Sequence, residues 1–233
     1  PQKNHVMPDN QTSPSSRDWL LLASGSTYKF TLTGFYLVAL IAILKKNGYN
    51  LNQLSWIHLI GGIEAAKVLF AALMERRPAG RFGRFRGWLL AATLGLSAVF
   101  GLMACIDITQ NFPLLLVCCV LLSAISAVYG CAMLGLSCIV LPHRERGFGG
   151  VIQTMAARGG KMIGGALVLW LYQEYGQTAA AGFMLAFTLL MLLQLLCYRE
   201  LESPTAQGGL TVLAARLVSF WRRPETGWRW LVL

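Results

Sequence analysis

The fold is decided by residues 112–141, which read FPLLLVCCVLLSAISAVYGCAMLGLSCIVL and include no charged side chain. A helix that crosses a bilayer needs about 20 mostly apolar residues. This stretch is longer than that. Its apolar residues are continuous and not alternating, which favours a helix over a strand of a membrane β-barrel. We therefore expect a membrane-spanning helix here that is long enough to tilt.

Five more apolar runs occupy residues 19–44, 54–74, 87–106, 149–172 and 178–198, and another begins at residue 228. Of the 233 residues, 55% are hydrophobic and 13% charged, whereas soluble domains have roughly 45–50% apolar and about 25% charged residues. This composition excludes a disordered chain and argues against a soluble enzyme. The sequence predicts an all-α membrane protein whose residues 19–198 form a six-helix transmembrane bundle.

The two ends of the chain differ from the bundle. Residues 1–18 are polar and rich in Pro, Ser, Asn and Gln, which predicts a disordered cytoplasmic tail. Residues 199–227 are predicted to be a cytoplasmic linker with an amphipathic helix, or an extended linker packed on the bundle, and residues 228–233 to start a seventh span. The chain opens at Pro1 and not at Met, so we expect both ends to be edges of a larger protein.

The loop charges predict the orientation. The segments after spans two, four and six hold eleven Lys and Arg residues, against two in the other loops. Positive loops stay cytoplasmic, so the N-terminus is predicted to be cytoplasmic. This topology accounts for most of the net charge of +10, and we expect no nucleic-acid partner. The six Cys and three His residues show neither metal-ligand nor catalytic spacing, so no enzyme activity, metal or cofactor is expected.

Five ionisable residues interrupt the apolar spans: Lys29, Glu64, Lys67, Arg158 and Lys161. Each costs roughly 2.5–3.5 kcal/mol at the bilayer centre, so we expect them to face protein or a water-filled cavity. Glu64 and Lys67 are three residues apart and can pair, whereas Arg158 and Lys161 have the same spacing and repel. The excess of positive charge predicts a cavity for an anionic small molecule.

These residues define the predicted site. Tyr36, on the face of Lys29, and Tyr129 in span four are expected to join the four cations in binding substrate. Glu64 is the candidate for proton coupling. The alternative is that the charges are salt bridges within the bundle or snorkelling side chains. In span five, Gly160 and Gly164 form a small-xxx-small pair that lets two helices approach closely.

Several motifs carry a resemblance to a known family. They are ERRPAGRFGRFRG at 75–87, GRFRGWLL at 83–90, ERG at 145–147, RGGKMIGG at 158–165 and FWRRP at 220–224. Six spans followed by a basic segment and a new span resemble the N-terminal half of a 12-helix major facilitator transporter, built from two six-helix halves. The motifs are similar to the muropeptide-permease and acetyl-coenzyme A transporter branch, which includes inner-membrane siderophore importers of the pyochelin, rhizobactin and yersiniabactin type.

The resemblance implies a bacterial inner-membrane transporter that works by alternating access, completed by a C-terminal half. It implies a cytoplasmic gate at Glu75, Arg81, Arg84 and Arg86. The branch often has two acidic residues in span four, where this sequence has Tyr129 and Leu134. That departure favours a siderophore-type importer of an anionic metal complex, by symport, over the muropeptide permease itself. The alternatives are transport or export of another anionic metabolite (a muropeptide, an acyl-CoA or a drug), or a membrane sensor without transport.

Overall fold

The structure is a computed structural model that describes residues 15–50, 55, 62, 70, 74, 85–105, 112–142 and 145–198. The second predicted span, apart from four single positions, lies outside the described residues. So do residues 1–14, the predicted linker at 199–227 and the predicted start of a seventh span. Within the described residues all regular structure is helical, with two short π-helical turns.

Four helices of the described chain are long and apolar enough to cross a membrane: Ser16–Lys46, Arg86–Cys105, Pro113–Val140 and Arg146–Cys197. The last is interrupted at Gly176, whose φ of 83° and ψ of −174° are not helical. Glycine adopts positive φ without steric cost. The interruption falls between the fifth and sixth predicted spans, so the described helices account for spans one, three, four, five and six. This confirms the all-α membrane fold.

The helices are numbered in chain order. Span one consists of α1 (Ser16–Gly34), a π turn named π1 (Phe35–Ala39) and α2 (Leu40–Lys46). Spans three and four are α3 (Arg86–Cys105) and α4 (Phe112–Val140). Span five consists of α5 (Arg146–Met162), π2 (Ile163–Leu167) and the part of α6 (Val168–Cys197) before Gly176; the rest of α6 is span six.

Span one begins earlier than residue 19, the start predicted from hydropathy, because Ser15 and Asp18 form a capping box. Asp18 Oδ2 accepts a hydrogen bond from the Ser15 backbone N–H at 2.9 Å, which satisfies one of the donors left free at a helix start. Asp18 Oδ1 accepts another from the Tyr198 hydroxyl at 2.9 Å. Residues 16–18, predicted to belong to the tail, are therefore helical and tied to the end of span six.

Contacts between neighbouring spans enclose the core. The most extensive join α1 to α5, α3 to α6 and α3 to α4. Tyr28 and Leu32 of α1 are fully buried, as are Leu96 and Phe100 of α3. Phe35 meets Phe100 edge to face, with ring centroids 5.5 Å apart, so span one also packs on span three.

The contact between α1 and α5 is made by glycine backbone. A Cβ added to Gly160 would lie 2.6 Å from the Thr27 carbonyl oxygen, and one added to Gly34 would lie 2.8 Å from the Lys161 carbonyl oxygen. Gly164, in π2, is closer still, since a Cβ added there would overlap the Thr31 carbonyl. These approaches leave no room for a side chain, and they confirm that the small-xxx-small pair of span five allows close helix packing.

Both helices of this contact contain a π turn, and the two π turns touch. The Leu40 N–H donates to the Phe35 carbonyl in π1, and the Val168 N–H donates to the Ile163 carbonyl in π2. A Cβ added to Gly165 would lie 3.2 Å from Val38 Cγ1. Such i to i+5 turns are rare, occur mostly as single turns and are frequent at functional sites.

The glycine contact predicts opposite effects at two adjacent positions. Gly160→Ala places a methyl group against the backbone of α1, whereas nothing lies within 4 Å of a Cβ added to Gly159. We expect Gly160→Ala to lower the free energy of unfolding by about 2 kcal/mol, as overpacking does. Gly159→Ala should leave it unchanged or raise it slightly, because alanine favours a helix.

Thermal unfolding of both variants in the same detergent checks this pair. Equal melting temperatures for Gly160→Ala and Gly159→Ala would show that the backbone contact does not form.

Candidate functional site

Lys29 lies at the contact between α1 and α4, partly buried. Its Nζ is 4.8 Å from the centroid of the Phe30 ring, within the range of a cation–π interaction. Its Cε lies 2.9 Å from the point that a Cβ on Gly130 would occupy. Gly130 therefore leaves the space that the lysine stem fills.

Phe30 connects this lysine to the cations of span five. The Cβ of Phe30 lies 2.8 Å from the point that a Cβ on Gly160 would occupy, and Gly160 lies between Arg158 and Lys161 in the chain. The Lys161 backbone in turn contacts Gly34. Lys29, Arg158 and Lys161 are thus at the same depth in the bundle, within about one or two helical turns of each other along α1 and α5.

Arg158 and Lys161 are on the exposed side of α5. Large apolar side chains follow the same side at helical spacing: Phe148 is 62% exposed, Val151 51%, Met155 71% and Met162 69%. We call Phe148, Val151, Met155, Arg158, Lys161 and Met162 the α5 stripe. Two cations three residues apart repel, and each would be costly in lipid hydrocarbon. The chemistry of the α5 stripe therefore fits water, an anion or another protein surface better than lipid.

Tyr36 and Tyr129 are buried. Tyr36 belongs to π1, and Tyr129 meets Tyr28 edge to face with ring centroids 5.3 Å apart. The described part of the structure offers no hydrogen-bond partner to the hydroxyl of Tyr129, nor to that of Ser126 one turn earlier. Both tyrosines pack in the core in this conformation, and their contact with substrate stays a prediction.

Sequence reasoning missed the residues that hold this arrangement. The Tyr28 hydroxyl donates to Thr188 Oγ1 at 2.8 Å, and Thr188 Oγ1 donates to the Met184 carbonyl at 2.7 Å, which ties span one to span six. Phe30 and Gly130 were also missed. The one available signal was that Phe30 follows Lys29 directly, and nothing in the sequence marks Gly130 as the neighbour of Lys29.

Arg86 is the described member of the predicted cytoplasmic gate. Its Nε donates to the Leu195 carbonyl at 3.1 Å and its Nη2 to the Leu196 carbonyl at 3.0 Å. A guanidinium in this position satisfies carbonyls that the end of a helix leaves free and complements the helix dipole. Arg86 thus ties the start of span three to the end of span six. The remaining predicted site residues lie outside the described residues: Glu64, Lys67, Glu75, Arg81 and Arg84.

The tyrosine cluster predicts a contrast between two hydroxyl deletions. Tyr129→Phe removes a buried hydroxyl without a partner, so we expect the free energy of unfolding to rise by about 1 kcal/mol or stay unchanged. Tyr28→Phe removes a buried hydrogen bond to Thr188 and should lower it by about 1 kcal/mol. Melting temperatures in detergent measure both changes, and a loss of stability in Tyr129→Phe equal to that in Tyr28→Phe would contradict the assignment.

Comparison with known proteins places the chain in a family. The family model described as Major Facilitator Superfamily matches residues 22–233. The anhydromuropeptide permease of Escherichia coli (strain K12) is 28% identical over 162 residues, which cover 70% of this chain and 32% of that protein. The anhydromuropeptide permease of Escherichia coli O157:H7 matches with the same values.

The chain thus spans about a third of the length of the curated relatives it matches. These relatives are permeases and not enzymes, and none of these matches is to a siderophore importer. The helical bundle is consistent with the N-terminal half of the family's fold. Because the family model covers nearly the whole chain, this multi-pass membrane protein belongs to the Major Facilitator Superfamily.

Proposed function

We propose that the protein is a bacterial inner-membrane secondary transporter that moves a small anionic solute by alternating access. Lys29, Arg158 and Lys161 attract the solute, together with Lys67 of span two. A C-terminal half covers the α5 stripe and completes the cavity. The N-terminus is cytoplasmic, as the loop charges predict.

One observation carries this proposal: Arg158 and Lys161 are exposed on a helix of a membrane bundle. Facing lipid, each would cost roughly 2.5–3.5 kcal/mol, and their mutual repulsion adds to that cost. An anion bound between the two halves reduces both the cost of placing each cation in the membrane and the repulsion between the two cations. Lys29 at the same depth adds a third positive charge on the neighbouring helix.

The first solute to test is an anhydromuropeptide, because the matched relatives are named as permeases for that class. A muropeptide has a peptide that ends in a carboxylate, which a cationic site attracts. Import of a ferric siderophore, the solute implied by the resemblance, is the second candidate, and it rests on that resemblance alone. Other anionic metabolites, export in place of import, and sensing without transport are the remaining alternatives.

Uptake should depend on the exposed cations. Arg158→Gln and Lys161→Gln each remove a charge-assisted interaction worth about 1.5–3 kcal/mol, so we expect kcat/KM for uptake to fall at least about tenfold. The assay is uptake of radiolabelled anhydromuropeptide by spheroplasts of cells that lack their own permease and express the full-length protein. A ferric siderophore is added as a competitor.

Lys46→Gln is the matched control. Lys46 is also an exposed cation, but it is the last residue of span one and lies away from Lys29, the predicted site residue of that span. Its uptake should equal that of the wild type at the same protein level. Normal uptake by the Arg158→Gln, Lys161→Gln double variant would contradict the proposal. Uptake of a radiolabelled ferric siderophore by the same cells, without any muropeptide uptake, would transfer the proposal to siderophores.

Glu64 is our candidate for carrying the coupling proton, since it is the one carboxylate inside the predicted spans. Glu64→Gln should abolish uptake driven by a pH gradient in proteoliposomes but preserve exchange of labelled for unlabelled solute, which needs no net proton movement. Equal gradient-driven uptake by Glu64→Gln and the wild type would rule out this role.

A further inference from the structure

Spans one and five share a feature that transport by itself does not explain. Each has a single π turn, the two π turns touch, and the glycine contact lies directly before π1 and extends into π2 at Gly164. A π turn contains one residue more than an α-helical turn and marks a place where a helix departs from regular geometry. Two of them at one level interrupt both helices at the same depth.

The segments before the π turns are held together. Backbone of α1 and α5 touches at Gly34 and Gly160, where no side chain separates the helices. Neither helix can slide or bend here without moving the other, because packed backbone deforms little. We call α1 and α5 the proximal pair.

The segments after the π turns are joined as well. Asn47 Nδ2, at the end of α2, donates to the Tyr172 hydroxyl of span five at 3.1 Å. Asn47 Nδ2 also donates to the Ile43 carbonyl at 3.1 Å, which fixes the amide on its own helix. We call α2 and the part of α6 before Gly176 the distal pair. Within each helix the two pairs are connected through its π turn alone.

The distal pair borders a small, mostly apolar cleft. Phe35 and Leu40, at the two ends of π1, line the cleft together with Met103, Ala180 and Ala181. Its exposed surface is almost wholly apolar, although Tyr172 and Gln177 also line it, so a small displacement of the distal pair toward it would bury mainly apolar surface. Small alanine side chains form the wall on span six.

The predicted substrate residues lie next to the π turns. Lys161 lies two residues before Ile163, the first residue of π2, and Tyr36 is inside π1. A bend at the π turns therefore changes the direction of the distal pair relative to Arg158 and Lys161, which stay with the proximal pair.

We propose that spans one and five bend as one unit at the paired π turns, so that the distal pair moves over the cationic site and opens or closes it at that end of the bundle. The role of this motion in access rests on the proposed transport function. The bend itself is a property of the helices and is measured without a solute.

The test uses spin-label distances in the full-length protein, with its native cysteines replaced and normal thermal stability retained. One pair of labels is at Leu102 and Lys46, and the other at Leu102 and Glu174. These three positions are exposed, and Leu102 on α3 serves as the fixed reference. We expect two distance populations for each pair in the wild type.

Deletion of Val38 removes the one extra residue of π1 and so converts it into an α-helical turn. The residues on either side of π1 then keep their positions on the faces of the helix. We expect the deletion to leave one population for both pairs, including the pair at Glu174, which reports on span five. Val38→Ala is the matched control: it removes most of the same side chain, which is half exposed and touches Gly165, and keeps the π turn. It should retain both populations.

Ala181→Leu fills the cleft from span six and provides a second variant should the deletion fail to fold. It should also leave one population for both pairs. Two unchanged populations at Glu174 in a folded Val38 deletion or in Ala181→Leu would overturn the coupling between the spans. A single population for both pairs in a wild type that transports solute would overturn the bend. Loss of uptake in Arg158→Gln with both distance populations intact would support the proposed substrate site and leave the bend unaffected.

Discussion

The direct contact of backbone with backbone between spans one and five sets the relative depths of Lys29, Arg158 and Lys161. It requires Gly34, Gly160 and Gly164, because a methyl group at any of the three would meet main-chain atoms. In a membrane, helices gain little from the hydrophobic effect on association, so close van der Waals packing is what holds them. The same contact sets Phe30 beside Gly160, and with it the depth at which Lys29 and the two cations of span five lie.

The charges of the site are placed by a different constraint, the cost of an ion in hydrocarbon. Lys29 meets it within the bundle, because Gly130 receives its stem and the Phe30 ring lies beside its ammonium. Arg158 and Lys161 lie on the α5 stripe, where the solute and the C-terminal half that we propose would keep them out of lipid. The exposed Met155 and Met162 on either side are flexible and polarisable, which suits a surface that contacts a partner half or a solute of irregular shape.

Hydropathy predicted the spans well, because length and lack of charge are properties of the chain itself. The described spans begin and end within about three residues of the predicted bounds, and the small-xxx-small pair marked the α1–α5 contact. The π turns, Gly130 and the buried position of Tyr129 could not be predicted, since each depends on which face of one helix meets another. Spacing put Tyr129 one turn from Ser126, but only the fold puts its ring against Tyr28.

The burial of Tyr129 bears on the proton coupling that we propose. The family branch it resembles often has an acidic residue at this position of span four. Here the position is enclosed by Tyr28 and the neighbourhood of Gly25, surroundings that would desolvate a carboxylate and disfavour its charged form. Leu134, at the second such position, is 55% exposed and cannot carry a proton. Span four thus has no carboxylate to carry a proton, and the proton coupling that we propose is assigned to another helix.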